Sequence, residues 1–234
     1  DYIEQNKKIE IYLESPFNYE KNARLYIAND MPDVSSETFN DFTSKVLLEI
    51  CDITGGRAFI LFTSFSSLMS VYQSTEKELK KKNINPLAQT SSIHRHTLLD
   101  MFKEYSNNVL YGVDSFWEGV DVAGENLEVV IIPKLPFAVP TDPISEGRYR
   151  YIEENGGSAF MDYALPLAVI KFKQGFGRLI RSKEDRGVVF VLDRRLYGKN
   201  YGVKFIQSLP KAKILKASMK EIFEDMNKFF DGSK

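Results

Sequence analysis

The residues with the clearest chemical potential lie between Gln174 and Arg181, in the order Gln-Gly-Phe-Gly-Arg-Leu-Ile-Arg. On a helix that turns by about 100° per residue, Gln174, Arg178 and Arg181 would share one face. Two arginines on a common face suit a triphosphate, because each guanidinium offers a planar set of donors and keeps its charge at any working pH. An arginine finger accelerates phosphoryl transfer by roughly 10³–10⁵. The alternative is an amphipathic helix whose arginines are solvated or ion-paired.

Two glycines interrupt this segment at Gly175 and Gly177. Each weakens a helix by roughly 1 kcal/mol relative to alanine, and the usual reason to keep them is the close approach of another surface. They do not form a dinucleotide-binding fingerprint, because the third glycine is absent and the pair follows a helix rather than a strand.

A second candidate segment, Asp114–Gly124, lies between two predicted strands. Two carboxylates flank a glycine here, beside a hydroxyl and an indole. Such a loop can hydrogen-bond a ribose or a phosphate, and its backbone amides can meet an anion. The alternative is an acidic loop whose tryptophan fills a core pocket. The residues concerned are Ser115, Trp117, Glu118, Gly119 and Asp121.

Short β-rich runs alternate with longer helical ones along the chain. The predicted strands are Lys8–Leu13, Arg24–Ala28, Arg57–Phe62, Asn108–Tyr111, Leu127–Ile132 and Gly187–Leu192. The predicted helices run from Ser35 or Ser36 to about Cys51, from Ser66 to about Lys82, from His94 to Ser106, from Ala159 to Ile180 and from Lys213 to Phe230. Pro166 is expected to break or kink the early part of the helix Ala159–Ile180. This alternation predicts an α/β fold, doubly wound, with a mainly parallel sheet and helices on both faces.

The composition narrows the class of protein further. The chain has 234 residues, 43% of them hydrophobic, which is enough to bury the core of a large domain. With 31 basic and 32 acidic residues, any nucleic-acid contact must be a local patch. One cysteine excludes a disulfide framework, a thiolate zinc site and a self-contained iron–sulfur cluster, and it fits a reducing cytoplasm. Apolar runs too short to span a bilayer indicate no membrane partner. The start at Asp1 suggests a boundary inside a longer protein.

Together these segments resemble the XPD/DinG-like group of superfamily 2 helicases. Ser115–Asp121 looks like motif V of that group, Gln174–Arg181 like motif VI, and Arg57–Phe65 like the motif IV strand and its turn. The proline-rich stretch Lys134–Pro143 is similar to the Lys-Leu-Pro-Phe segment of bacterial DinG proteins, and Ser15–Tyr19 matches the stretch after their inter-domain crossover. The resemblance implies one RecA-like motor domain over residues 1–234, with a family-specific insertion at 134–165.

The resemblance also implies roles for individual residues. Arg178 and Arg181, supported by Gln174, would reach ATP held by the first RecA-like domain of the same polypeptide. The nucleotide cleft would involve Glu118, Gly119, Asp121 and Gly177. Single-stranded DNA would meet Thr63, Ser64, Phe65, Ser115 and Trp117. The family's motors generally move 5′ to 3′ on DNA.

The sequence lacks other parts of an ATPase. It has no phosphate-cradling Gly-x-x-x-x-Gly-Lys-Ser/Thr and no Asp-Glu-x-His for magnesium. ATP and Mg²⁺ would therefore be held mainly by the missing domain, and the isolated chain is predicted to be inactive. An iron–sulfur cluster or a fused exonuclease would also lie outside this chain. A second function is therefore open: a nucleotide-dependent regulatory module of a fused 3′–5′ single-strand exonuclease that does not unwind DNA.

Four other features have weaker interpretations. His94 and His96 point to different helix faces, so no metal site is predicted. Lys80–Lys82 is interpreted as a solvated helix end. Asp193–Arg195 resembles the family's Asp-x-Arg ending, and could equally brace the arginine helix or touch nucleotide. The stretch Arg148–Tyr151 could grip a single strand or form an ordinary helix surface.

Overall fold

Helices and strands alternate in this computed structural model, which describes residues 15–90, 92–117, 127–138, 143–180 and 182–231. The strands are β1 (Ala23–Ala28), β2 (Ala58–Leu61), β3 (Asn85–Ala88), β4 (Asn108–Gly112), β5 (Val129–Ile132), β6 (Gly187–Val191) and β7 (Lys213–Ala217). Across the described ranges they form a seven-stranded sheet in the order β3-β4-β2-β5-β6-β1-β7, and each neighbouring pair is parallel. The predicted α/β class with a parallel sheet is confirmed.

Helices connect the strands. They are α1 (Tyr19–Asn22), α2 (Phe39–Thr54), α3 (Phe65–Lys81), α4 (Arg95–Glu104), α5 (Pro143–Glu154), α6 (Leu165–Phe176), α7 (Arg195–Gly198), α8 (Gly202–Gln207) and α9 (Met219–Asp231). A 3₁₀ turn covers Asp114–Phe116 and a π-helical turn covers Ala159–Ala164. The range 134–165, predicted as an insertion, thus includes α5, which has no buried residue.

The core is centred on β5 and β6, whose residues are all buried. Both strands come from nearly continuous apolar runs, as expected for parallel strands covered on both faces. They pair directly, with Val129 opposite Val188 and Ile132 opposite Val191. The sequence therefore predicted the centre of the sheet correctly. The predicted strand Lys8–Leu13 lies outside the described residues.

The sequence-based elements were wrong at both edges of the sheet. β3 was not predicted at all, and it contains Pro86, a residue that strands tolerate at an edge. The final helix was predicted from Lys213, but residues 213–217 form β7, and α9 begins at Met219. Pairing with β1 in parallel register, Arg24 opposite Lys213, overrides the helical propensity of this short run.

The long helix predicted for residues 159–180 is also shorter than expected. The π-helical turn precedes α6, Pro166 lies in the first turn of α6, and the helix ends at Phe176 with Gly177 as its C-cap. The helix that precedes β2 ends at Thr54, close to the predicted end at Cys51, and Gly55 caps it in the left-handed region (φ 67°). It begins after Thr38 without a side-chain cap from a serine. The consequence for function is that Arg178 lies beyond α6 rather than on it.

Candidate nucleotide and nucleic-acid interface

Arg178 lies in the turn that follows α6. Its backbone amide donates to the carbonyl of Gly175 at 3.3 Å, which tightens the chain after the helix. Its guanidinium Nη2 donates to the carbonyl oxygen of Trp117 at 2.7 Å, and the residue is 9% exposed. The prediction that Gln174 and Arg178 share one helical face is therefore wrong. Arg178 is largely enclosed and is not presented outward. Its contact with Trp117 joins two segments that are 61 residues apart.

Gly175 is where α6 approaches the segment after β4 most closely. A Cβ atom there would lie 3.1 Å from Cζ3 of Trp117 and 3.2 Å from Cδ1 of Leu61. The expectation of a close neighbouring surface is thus confirmed for Gly175. For Gly177 the expectation stays a prediction, because a Cβ there would meet nothing nearer than a backbone oxygen at 3.4 Å among the described residues. Gly177 is exposed and has φ −66°, so it has no left-handed requirement.

Gln174 occupies the last turn of α6 and is half-buried. Its Oε1 atom is buried and has no hydrogen-bond partner in the described part of the chain. Buried polar atoms are nearly always paired, so an unpaired one calls for an explanation such as a missing ligand. Gln174 precedes Arg178 by four residues, and both belong to the segment that was predicted from the sequence to contact phosphates.

Trp117 is fully buried, and this corrects its predicted role as a DNA contact. Its indole Nε1 donates to the carbonyl of Phe62 at 3.0 Å, and the ammonium of Lys171 lies 5.7 Å from the ring centroid. An enclosed indole has no face on which a base could stack. The alternative interpretation, in which the tryptophan fills a core pocket, describes it correctly.

The other predicted DNA contacts lie at one edge of the sheet. Thr63 and Ser64 follow β2 and Ser115 follows β4, and these neighbouring strands are parallel with Leu61 opposite Gly112. The carboxyl ends of adjacent parallel strands meet at the same edge, which is where open α/β sheets bind ligands. Ser64 caps α3 by accepting from the amide of Ser67 at 3.3 Å. Ser115 is exposed.

Two further residues complete this edge. Phe65 is 49% exposed at the start of α3, an unusual position for a large aromatic side chain. Gln89, which the sequence did not single out, follows β3; its Nε2 donates to Oγ of Ser115 at 3.4 Å and its Oε1 accepts from the amide of Val113 at 2.8 Å. Sequence reasoning missed Gln89 because it missed β3, the strand that brings it here.

Four predicted nucleotide-site residues, Glu118, Gly119, Asp121 and Arg181, lie outside the described residues. Their roles stay predictions. Among the described residues near them in sequence, Trp117 and Arg178 are in direct contact.

Asp193 joins the loops that follow β5 and β6. It is fully buried, and its Oδ2 accepts from the backbone amide of Leu135 at 2.8 Å and from Nη2 of Arg195 at 2.6 Å. The carboxylate raises the pKa of Arg195, because the hydrogen bond favours the charged guanidinium. Arg195 in turn lies 5.5 Å from the centroid of the Phe137 ring. Asp193 therefore braces the Lys134–Phe137 loop. The two earlier alternatives, that Asp193–Arg195 braces the arginine helix or touches nucleotide, stay predictions.

Three remaining features bear on other functions. In the part of the chain that the structure describes, no group of three or more His, Cys, Asp or Glu side chains is arranged to hold a metal ion. Over the same residues, no helix has the length and apolar character required to cross a membrane. Lys80–Lys82 end α3 as an exposed, ion-paired cluster with Glu76, Glu78 and Asp52, as predicted for a solvated helix end.

Comparison with known proteins gives a consistent result. The family described as the helicase C-terminal domain matches residues 47–212. The chain is 39% identical over 198 residues to the ATP-dependent DNA helicase YoaA of Haemophilus influenzae, covering 85% of this chain and 30% of that protein. It is 31% identical over 214 residues to the 3'-5' exonuclease DinG of Bacillus subtilis, covering 90% of this chain and 23% of that protein. The chain thus spans less than a third of the length of these curated relatives.

A solved XPD helicase shares the fold, with a TM-score of 0.60 at 19% sequence identity over 83% of this chain and 35% of that one. Sequence and fold thus agree on the group that the motifs resembled. The chain therefore belongs to the helicase C-terminal domain family, and it has the RecA-like α/β fold.

Proposed function

We propose that this chain is the second motor domain of an ATP-dependent DNA helicase or translocase. In this proposal Arg178 and Arg181 supply positive charge to ATP bound by the first RecA-like domain of the same polypeptide, with Gln174 beside them. ATP phosphates and Mg²⁺ are held mainly by that first domain, and the isolated chain does not hydrolyse ATP. The motor acts on DNA in the cytoplasm.

The observation that carries the proposal is the contact between Arg178 and Trp117. The guanidinium that would sense the nucleotide is bound, at 2.7 Å, to the backbone of the loop that follows β4. Ser115, an exposed residue at the proposed DNA edge, lies in the same loop. A shift of Arg178 on ATP binding or hydrolysis would therefore be transmitted to the DNA edge through one hydrogen bond.

The unpaired oxygen of Gln174 supports a ligand at the same place. The Gln174 Oε1 atom is an acceptor, so it would bind a hydroxyl or a water molecule attached to the nucleotide, and the amide nitrogen would face the phosphates. Glu118, Gly119, Asp121 and Gly177 are proposed to complete this cleft.

We propose that single-stranded DNA binds to the residues that follow the carboxyl ends of β2 and β4. Exposed Phe65 supplies a ring on which a base can stack, and stacking is worth roughly 1–3 kcal/mol per base. Thr63, Ser64 and Ser115 supply hydroxyls suited to phosphate oxygens.

The proposal is tested by ATP hydrolysis in the full-length protein with and without single-stranded DNA. Arg181→Ala is expected to lower kcat by roughly 10³-fold, the lower range for an arginine finger. Arg178→Ala is expected to lower kcat and also to weaken its stimulation by DNA, because it breaks the link to Trp117. Lys80→Ala, which removes an exposed cation paired with Glu76, serves as the control. Hydrolysis indifferent to both arginine substitutions would show that this is a plain α/β binding module.

A second candidate function is favoured by one relative. The B. subtilis protein that is 31% identical to this chain is named as an exonuclease. The chain would then be a nucleotide-dependent regulatory module of a fused 3′–5′ single-strand exonuclease. Strand displacement that is lost in Arg178→Ala supports the motor, whereas nuclease activity that responds to ATP without strand displacement supports the regulator.

A further inference from the structure

A cavity of about 710 Å³ lies at the amino-terminal edge of the sheet, beside the starts of β1 and β6. Five cationic side chains line it and one carboxylate, Glu184, accompanies them. We call it the basic pocket, and its cations are Lys21, Arg24, Lys183, Arg186 and Lys228. Its volume falls in the range of ligand sites, roughly 300–1,000 Å³.

Two guanidinium groups are held in position at this pocket, and neither forms an ion pair with a carboxylate among the described residues. Nη1 of Arg24 donates to the carbonyls of Glu20, Lys21 and Ala23 at 3.2–3.3 Å, and Nη2 of Arg186 donates to the carbonyl of Phe229. Both groups also lie over the Phe229 ring, at 4.6 and 4.3 Å from its centroid. These carbonyl and ring contacts hold the two arginines in place without neutralising their charges.

The pocket's charge is not cancelled nearby. Within the described residues, none of its five cations forms an ion pair, whereas Lys80 and Lys81 of α3 are each paired with a glutamate. The amide of Asn22 donates to the carbonyl of Lys183 at 3.0 Å, which fastens the loop before β6 to the start of β1. The cations therefore belong to one connected rim rather than to independent surface side chains.

The basic pocket is separate from the proposed nucleotide and DNA contacts. Arg24 opens β1 and Arg186 immediately precedes β6, whereas Thr63 and Ser115 follow the ends of β2 and β4. Because each neighbouring strand pair is parallel, these groups lie at opposite edges of the sheet. Four- to six-residue strands separate the two edges by roughly 13–20 Å.

We propose that the basic pocket binds phosphate groups and is a second anion site of this domain, distinct from the motif-bearing edge. Fixed guanidiniums flanked by exposed lysines match the geometry of phosphate oxygens, which accept several donors at once. The phosphates come either from the backbone of single-stranded DNA or from a free polyphosphate. The inference does not depend on the roles proposed for Arg178 and Arg181.

The test measures binding by the full-length protein, without ATP, to a fluorescently labelled oligothymidylate and to inorganic pyrophosphate. One variant, Lys21→Gln with Lys228→Gln, removes two exposed lysines and leaves the core untouched. A second, Arg24→Gln with Arg186→Gln, removes the two fixed guanidiniums. The matched control, Lys80→Gln with Lys81→Gln, removes two exposed charges at the end of α3.

Each pocket variant is expected to raise the Kd for the oligonucleotide by about 10-fold and to reduce the slope of log Kobs against log salt by about 1.4, or 0.7 per lost phosphate contact. The control is expected to change neither quantity. Loss of pyrophosphate binding with DNA binding intact would also support a phosphate site and assign it to a free polyphosphate. Unchanged binding of both probes overturns the proposal, and a lower melting temperature with unchanged binding assigns the pocket to an internal contact between domains.

Discussion

The guanidinium of Arg178 is hydrogen-bonded to the carbonyl oxygen of Trp117 at 2.7 Å, across 61 residues of sequence. This contact joins the turn after α6 to the loop after β4. Both segments were singled out for chemistry from residue types, but the sequence contained no indication that they touch each other.

Arg178→Ala is expected to lower the stability of the domain as well as the rate of ATP hydrolysis. A buried carbonyl that loses a charged donor costs roughly 1–3 kcal/mol in the free energy of unfolding. Urea unfolding followed by far-ultraviolet circular dichroism measures this. Arg178→Lys keeps the charge but not the planar fork, and should recover only part of the loss. Full stability in Arg178→Ala would show that the hydrogen bond is absent in solution.

Gly175 and Gly177 make a matched pair for testing close packing. Gly175→Ala places a methyl group 3.1–3.2 Å from Trp117 and Leu61, so overpacking of roughly 1–3 kcal/mol should outweigh the roughly 1 kcal/mol gain in helix propensity. Gly177→Ala meets only ordinary contacts at 3.4 Å and beyond, and should be neutral or slightly stabilising. Thermal unfolding of both variants decides. Equal melting temperatures would mean that α6 does not press against the tryptophan.

Sequence patterns predicted the centre of this fold better than its edges. The apolar runs of β5 and β6 leave no alternative to buried parallel strands. β7 was mistaken for helix because Lys213 and Lys216 are three residues apart, a spacing that also fits one helix face, and four of its five positions are not buried. The correct boundary was marked by Ser218 and Glu221, which form a capping box with mutual bonds of 2.9 and 3.4 Å at the start of α9.

The site was predictable in residue type but not in arrangement. The spacing of Gln174 and Arg178 indicated a shared helix face, yet Gly177 ends α6 and turns the chain before Arg178. Trp117 was assigned to a DNA surface because the family resemblance implied that role, and only the packed structure shows that the indole faces Phe62 and Gly175. Side-chain direction after a strand depends on tertiary contacts that a local pattern does not contain.

Cys51 is expected to be inert in the folded domain. Burial raises the pKa of its thiol to about 12, with a further rise from the charge of Asp52. At pH 8 the folded thiolate fraction is then about 10⁻⁴, whereas an unfolded thiol with a pKa of about 8.5 is partly ionised. The unfolded state therefore releases its proton first, and stability falls as the pH rises from about 8.5 towards 12.

Reaction with DTNB at pH 8, in the absence and presence of guanidinium chloride, measures this difference. We expect one thiol to react promptly in denaturant and almost none in the native protein. Prompt reaction of the native protein would mean that the α2 helix end opens readily. Cys51→Ala, which has no thiol, supplies the baseline.

Asp193 and Asp33 each pair with an arginine, and we expect Asp193 to contribute more to the stability of the domain. Asp193→Asn weakens a buried, bidentate pair with Arg195, whose side chain is 29% exposed, and we expect a loss of roughly 2–4 kcal/mol. Asp33→Asn removes a pair with Arg194 in which both side chains are about half exposed, and should have no measurable effect. Because Asp193 also accepts from the amide of Leu135, its loss should speed amide hydrogen exchange in residues 134–138. Slow exchange of residues 134–138 in Asp193→Asn would mean that the carboxylate is dispensable. The loop would then be held by the packing of Phe137 against Phe160 and Tyr201.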